Sequence, residues 1–164
     1  MKTKRVKPGP GQESVWDYPR PPRLEACALR IRVIAGGITI ADSSNTIRVL
    51  ETSHPPVYYI PPQDVETDCL LLARGRSFCE WKGEAEYYSV TASGQTIDKA
   101  AWFYSNPSAR FSRIADHLAF YPSKMEACYI DDERVQAQEG DFYGGWITSN
   151  IVGPFKGPPG TFGW

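Results

Sequence analysis

Residues 28–42 read "ALRIRVIAGGITIAD", and this stretch decides the fold class. Leu29, Ile31 and Val33 alternate with Arg30 and Arg32, the period of two expected of a half-buried strand. Gly36-Gly37 follows, a pair that accepts the positive φ of a tight hairpin turn, and "ITIAD" begins the return strand. The same grammar continues along the chain. "TIRVLET" sets Ile47 and Val49 against Arg48 and Leu50, and "VYYI" is stopped by Pro61-Pro62. "CLLLAR", "SFCEWKG" and "EAEYYSVT" come next. Ser93-Gly94 then turns the chain into "QTIDKAAWFYS", and "MEACYI", Asp131-Asp132 and "RVQAQ" read as a last hairpin.

One segment breaks the pattern. In "SARFSRIADHLAFY", Phe111, Ile114, Ala115 and Leu118 share a helical face and Ser108 stands where a cap is expected, which predicts one short helix near 108–118. At least eight strands against one helix predict a mainly β fold, its antiparallel strands folded into a compact barrel or bent sandwich. Residues 1–25 read as an extended arm: Pro19, Pro21 and Pro22 favour polyproline geometry, with Trp16 and Tyr18 as anchors. The β domain is expected over 26–140, and 141–164 form a Gly- and Pro-rich second arm that packs on it.

Composition narrows the function classes. The 164 residues carry a net charge of −1, so no global field favours nucleic acid or an acidic membrane. The cations Lys2, Lys4, Arg5 and Lys7 form a local basic terminus that reads as solvated. No apolar run has membrane-spanning length, and none follows the basic start as in an export signal, so a cytoplasmic location is expected. The four cysteines, Cys27, Cys69, Cys79 and Cys128, include no C-x-x-C pair. The expectation is reduced thiols, no metal and no cofactor. The closing "GPPGT" resembles the start of a phosphate loop but lacks its Lys and the helix that must follow. Two prolines also remove N–H donors. An arm docking Phe155, Phe162 and Trp164 on the body is expected instead.

Several segments, taken together, resemble the DUF427 family, a domain family defined without a known function. They are "GGITIADSSNTIRVLETSHPPVYYIPPQDV", "FCEWKGEAEYYSV", "KAAWFYSNP" and "HLAFYPSKM". The resemblance covers roughly residues 27–130, and the arms "VWDYPRPPRLE" and "GGWITSNIVGPFKG" resemble a subgroup extended at both ends. It implies a β-tent-like structure similar to folds that include zinc-bearing methionine sulfoxide reductases, whose paired C-x-x-C clips are missing here. A nucleotidyltransferase label is attached to the family. Such enzymes hold divalent metals on paired carboxylates. The nearest pair, Asp131-Asp132, reads as a solvated turn.

Candidate site residues fall between 48 and 104. Glu51 and His54 lead into Pro55-Pro56, a rigid loop with a carboxylate and an imidazole that suits a pocket edge. His54 is a candidate general base, or simply an exposed loop residue. Cys79 is a candidate nucleophile if a cation lies near it. Strict alternation instead puts it with Trp81 and Gly83 on a core face, with Glu80 and Lys82 on the other. Lys82 either holds an anionic ligand, with Gly83 admitting it close to the backbone, or pairs with Glu80 or Glu84 at the surface. Arg48, Tyr59, Trp102 and Tyr104 complete the ligand-binding set. His117 reads as structural. The expected function is a small-molecule binding module with a polar, aromatic pocket. The alternative is a small-molecule enzyme that depends on Cys79 or His54, or acts as the family label suggests.

Overall fold

The computed structural model describes residues 4–140 and 142–164. Lys2 of the basic terminus lies outside them. The chain is mainly β and antiparallel. Its first strands are β1 (Glu13–Ser14), β2 (Arg23–Cys27), β3 (Ile31–Ala35), β4 (Ile38–Ser43), β5 (Thr46–Leu50) and β6 (Val57–Tyr59). Three long ones follow, β7 (Leu70–Cys79), β8 (Gly83–Ala92) and β9 (Gln95–Phe103). The rest are short: β10 (Ala119–Phe120), β11 (Ala127–Ile130), β12 (Glu133–Arg134), β13 (Gln136–Ala137), β14 (Trp146–Ile147) and β15 (Ile151–Val152).

Two four-stranded sheets carry the fold, in the orders β10-β9-β8-β7 and β12-β11-β3-β4, with β2-β5-β6 as a third sheet. None of these sheets closes into a barrel, so the arrangement is the bent-sandwich form of the expected fold. The hairpin read from residues 28–42 is present: Gly36 and Gly37 have φ of 55° and 75°, the mirror-image turn that fits the twist of β3 and β4. Ile31, Val33 and Ala35 are buried, but Leu29 is 48% exposed. The alternation overreached there, because β3 begins only at Ile31 and Leu29 lies in the preceding loop. "CLLLAR" and "SFCEWKG" form one strand, shifted in register between Leu72 and Arg76.

The predicted helix is a 3-10 segment, Ala109–Ile114, interrupted at Phe111 by a non-helical φ/ψ. Phe111 and Ile114 are buried as the apolar face required. Ser108 does not cap the segment, because its hydroxyl donates to the Trp81 carbonyl at 2.7 Å. Residues 104–118 separate β9 from β10, chain enough for an α-helix, and the break at Phe111 is what leaves the segment as short 3-10 turns.

The main core joins the sheets through Ile31, Val33, Ile40, Val90, Phe120 and Trp146. A second cluster lies beneath the site and includes Ile47, Tyr59, Trp102, Tyr104 and Phe111. The third, Val15, Tyr18, Leu50 and Ile151, ties both arms to the body, and β1 pairs directly with β15. Strand β2 starts at Arg23, so the sheet reaches slightly into the segment read as an arm. Phe162 is 89% exposed and does not dock, whereas Trp164 packs at a tilt against Trp16 with ring centroids 5.3 Å apart. "GPPGT" closes on itself: Thr161 Oγ1 donates to the Pro158 carbonyl and accepts from the Gly157 amide. Among the described residues, no helix is long and apolar enough to cross a membrane.

Candidate functional site

A cavity of about 330 Å³ opens between the β7–β8 hairpin tip, the loop after β5 and the second arm. That is near the lower end of the usual range for small-molecule sites. Glu51, His54, Tyr59, Cys79, Lys82, Trp102 and Tyr104 all line it. Arg48, read as a ligand residue, does not. Its guanidinium is held at 2.7 Å by both Glu13 and Glu25, beside a different cavity. The cause is register: β2 lies against β5 with Glu25 opposite Arg48, and the first arm brings Glu13 over the pair. Burial works against the Arg48 charge, but the Glu13 and Glu25 carboxylates keep it fully ionised.

The polar end of the cavity is the hairpin tip. Strand β7 ends at Cys79 and β8 begins at Gly83, so residues 80–82 form a turn. Alternation has no meaning in a turn, and this is why the expected opposite faces fail. Lys82 bends back so that its Nζ lies 3.6 Å from Cys79 Sγ. Lys82 is only 9% exposed, and among the described residues no carboxylate lies within 4.0 Å of it. Neither expected surface partner is used: Glu84 pairs with Arg76 instead. Burial opposes the ammonium, while the Tyr59 oxygen, the Cys79 sulfur and the Glu51 carboxylate outweigh it and raise the lysine above its ordinary value. Lys82 is therefore a cation at neutral pH.

Gly83, at φ 110°, is required by the turn. Its open side faces Asn106 and Pro107 backbone, so it does not admit a ligand as expected. The tip is braced from that side, where the Ser108 amide donates to the Lys82 carbonyl at 2.9 Å.

Aromatic side chains make the walls. Trp102 Nε1 donates to the Tyr59 hydroxyl at 3.2 Å, and the Tyr59 and Tyr104 rings lie 6.4 Å apart. The opposite wall holds Tyr87, bonded to Ser77 Oγ at 2.6 Å, and Tyr121, whose ring lies 4.5 Å from Trp102. Burial pushes Tyr59, Tyr104 and Tyr121 above the ordinary phenol value, so these hydroxyls are neutral donors and acceptors.

The third side carries His54. Its Nε2 lies 3.6 Å from Glu51, which also faces Arg20 at 3.5 Å, and its Nδ1 lies 3.5 Å from the Gln138 amide nitrogen. Burial, with Lys156, Arg20 and Lys82 nearby, lowers the imidazole to about 3. A neutral ring that accepts at Nδ1 and offers Nε2–H to Glu51 fits these contacts. It leaves no lone pair facing the cavity, so the general-base role expected of His54 is not supported by this geometry. The other histidine, His117, bonds through Nδ1 to the Ala115 carbonyl, outside the cavity.

Sequence reasoning missed Gln138, just after β13, and Tyr143 and Lys156 of the second arm, all of which line the cavity. Nothing in their neighbourhood marks them, because they reach the site only through long-range packing. Tyr87 was legible in principle, since it shares a face of β8 with Ala85.

The free cysteines differ sharply. Cys128 is buried in the core and pushed up to about 12, an inert thiol. Cys79 alone lies beside a buried cation. Asp131-Asp132 turn the β11–β12 hairpin, as read. Among the described residues, no group of three or more His, Cys, Asp or Glu side chains is placed to hold a metal ion.

The family described as a domain of unknown function, DUF427, matches residues 23–131, two thirds of the chain, and the protein belongs to it. No curated protein matches the chain.

Proposed function

We propose that the protein is a small-molecule binding module whose cavity takes a planar, ring-bearing ligand with an oxygen anion or carbonyl. The ring lies among Tyr59, Tyr87, Trp102 and Tyr121, and the oxygen meets Lys82. The observation that carries this reading is the Lys82 ammonium, buried at the cavity wall with a sulfur as its one hydrogen-bond partner among the described residues. A buried cation is costly unless paired, and an acceptor oxygen from a ligand satisfies donors that the protein leaves open. Aromatic walls with phenol hydroxyls supply a flat apolar surface and a few fixed polar points.

Benzoate, benzyl alcohol and benzylamine have similar sizes and different charges, so they test this directly. Calorimetry should detect benzoate binding and little or no benzylamine binding. Lys82→Met should weaken benzoate by at least about tenfold, the worth of a charge-assisted hydrogen bond. Equal binding of benzylamine, or undiminished benzoate binding in Lys82→Met, would sink the reading.

The nucleotidyltransferase label finds less support at this site, where among the described residues Glu51 faces Arg20 and His54 rather than a second carboxylate. The alternative of a thiol-dependent enzyme does have an observation in its favour, the 3.6 Å contact between Cys79 and Lys82.

A further inference from the structure

We infer that Cys79 is the nucleophile of an acyl-transfer step at this cavity, taking a small acyl group from an ester and holding it as a thioester. This rests on the ligand reading above and gives the bound carbonyl a chemical role. Four features converge on it. The sulfur lines the cavity. The Lys82 ammonium lies 3.6 Å from it and is nine-tenths buried, so negative charge that develops beside the sulfur meets a fixed cation. Tyr104 lines the same cavity. Finally, Ser108 ties the tip at both the Trp81 and the Lys82 carbonyls, so the pair is held in place before any ligand arrives.

The position of the donors selects the reaction class. When a thiolate attacks a carbonyl carbon directly, the negative charge moves to an oxygen within about 3 Å of the sulfur. That oxygen stays within reach of Lys82, whose ammonium already lies 3.6 Å from the sulfur. Conjugate addition would instead carry the charge to an oxygen several bonds away, beyond this donor. Direct attack at an acyl carbon therefore fits the site better.

The electrons and protons balance. The Cys79 thiol gives its proton to solvent water as its sulfur attacks. A sulfur lone pair forms the S–C bond, and the carbonyl π pair moves to oxygen. The tetrahedral intermediate then collapses, the carbonyl re-forms, and the bond to the leaving oxygen breaks with its electron pair. Lys82 gives a proton to that oxygen and takes one back from solvent. The products are S-acylated Cys79 and an alcohol or phenol, with nothing oxidised or reduced. The cavity volume of about 330 Å³ limits the substrate to a short-chain or single-ring acyl group.

The probe is p-nitrophenyl acetate. The wild-type protein should release a burst of one nitrophenolate per chain and gain one acetyl group, mapped by peptide mass to Cys79. Cys79→Ala should lose the burst. Lys82→Met should slow it by about 100-fold, the usual cost of one oxyanion donor, and Lys82→Arg should recover part of the loss. Should either alanine or methionine variant fail to fold, iodoacetamide labelling of the wild type decides: Cys79 should react well before Cys27, Cys69 and Cys128. Acetylation or alkylation that spreads evenly over Cys27, Cys69 and Cys79, or a burst that survives Cys79→Ala, overturns the inference. Benzoate binding by the unmodified wild type reads the ligand proposal separately. If benzoate binds and no burst appears, only the covalent step falls. If the burst appears and benzoate does not bind, only the anion reading falls.

Discussion

His54 shows what a single buried side chain does to the pH response of the whole protein. Its imidazole titrates near 6.5 when unfolded and is lowered to about 3 in the fold, by burial and then by Lys156, Arg20 and Lys82. The unfolded chain therefore binds the proton more tightly, so acid favours unfolding. The stability from the neutral ring is complete above pH 6.5 and is lost as the pH falls from there toward 3. Each pH unit in that window changes stability by up to about 1.4 kcal/mol. Between pH 6.5 and 5, before most carboxylates titrate, wild type should lose about 2 kcal/mol relative to a His54→Gln variant in urea unfolding. Parallel pH curves for the two proteins would contradict this account. The residue was legible in the sequence as a member of the site, because a His before two prolines stands in a rigid loop. Its role was not, since that depends on Gln138, which lies 84 positions away.

The β7–β8 hairpin is the element on which the site turns, and it also shows where sequence patterning runs out. Alternation read β3 correctly from Ile31 to Ala35, because each of those residues is in a ladder with β4 or β11. The same rule misplaced Lys82, because the ladder stops with Cys79 opposite Gly83. Period two describes the pleat, and a turn has none. Arg48 was misjudged for a different reason: its carboxylate partners come from β2 and the first arm, and no local signal announces such pairs. Gly83 is the position that makes the tip possible. At φ 110°, a side chain is strained whatever room it has, and the added Cβ would meet only ordinary contacts at 3.6–3.9 Å. Gly83→Ala should therefore cost about 1–3 kcal/mol through backbone strain alone. The accompanying readout is local. Cys79 should change its alkylation rate relative to Cys69 in this variant, because the tip that sets its distance to Lys82 has moved. An unchanged denaturant midpoint would show that the tip tolerates a non-glycine residue at this angle.

On the scale of the molecule, the DUF427 match ends at residue 131, yet the cavity does not. Gln138, Tyr143 and Lys156 come from beyond that boundary and close one side of it. The second arm is thus part of the site's wall as well as a clasp on the body. The sequence reading named Phe155, Phe162 and Trp164 as the rings that dock, and Phe162 departs from it: Trp164 meets Trp16, while Phe162 points to solvent. Several tethers depend on residues 154–164. The Pro154 carbonyl accepts from Trp16 Nε1 at 2.9 Å, and the Lys156 carbonyl accepts from the Gln138 amide at 2.6 Å. The Lys156 amide donates to the Ser53 carbonyl at 2.9 Å, inside the loop that carries Glu51 and His54. Phe155 packs against Val15, Tyr18 and Leu50. Removing residues 154–164 should expose about one large apolar side chain's worth of surface and cost about 2 kcal/mol in burial. For a chain of this size that corresponds to a fall in Tm of about 4–8 °C, measured by calorimetry. The truncated protein should stay folded, since neither four-stranded sheet loses a strand. It should also bind benzoate more weakly, because Gln138 loses its Lys156 partner and the Glu51–His54 loop loses its backbone tether. A truncated chain with unchanged Tm would show that the arm is an ornament. A lower Tm with undiminished benzoate affinity would confine its role to stability and leave the ligand to the hairpin tip and aromatic walls alone.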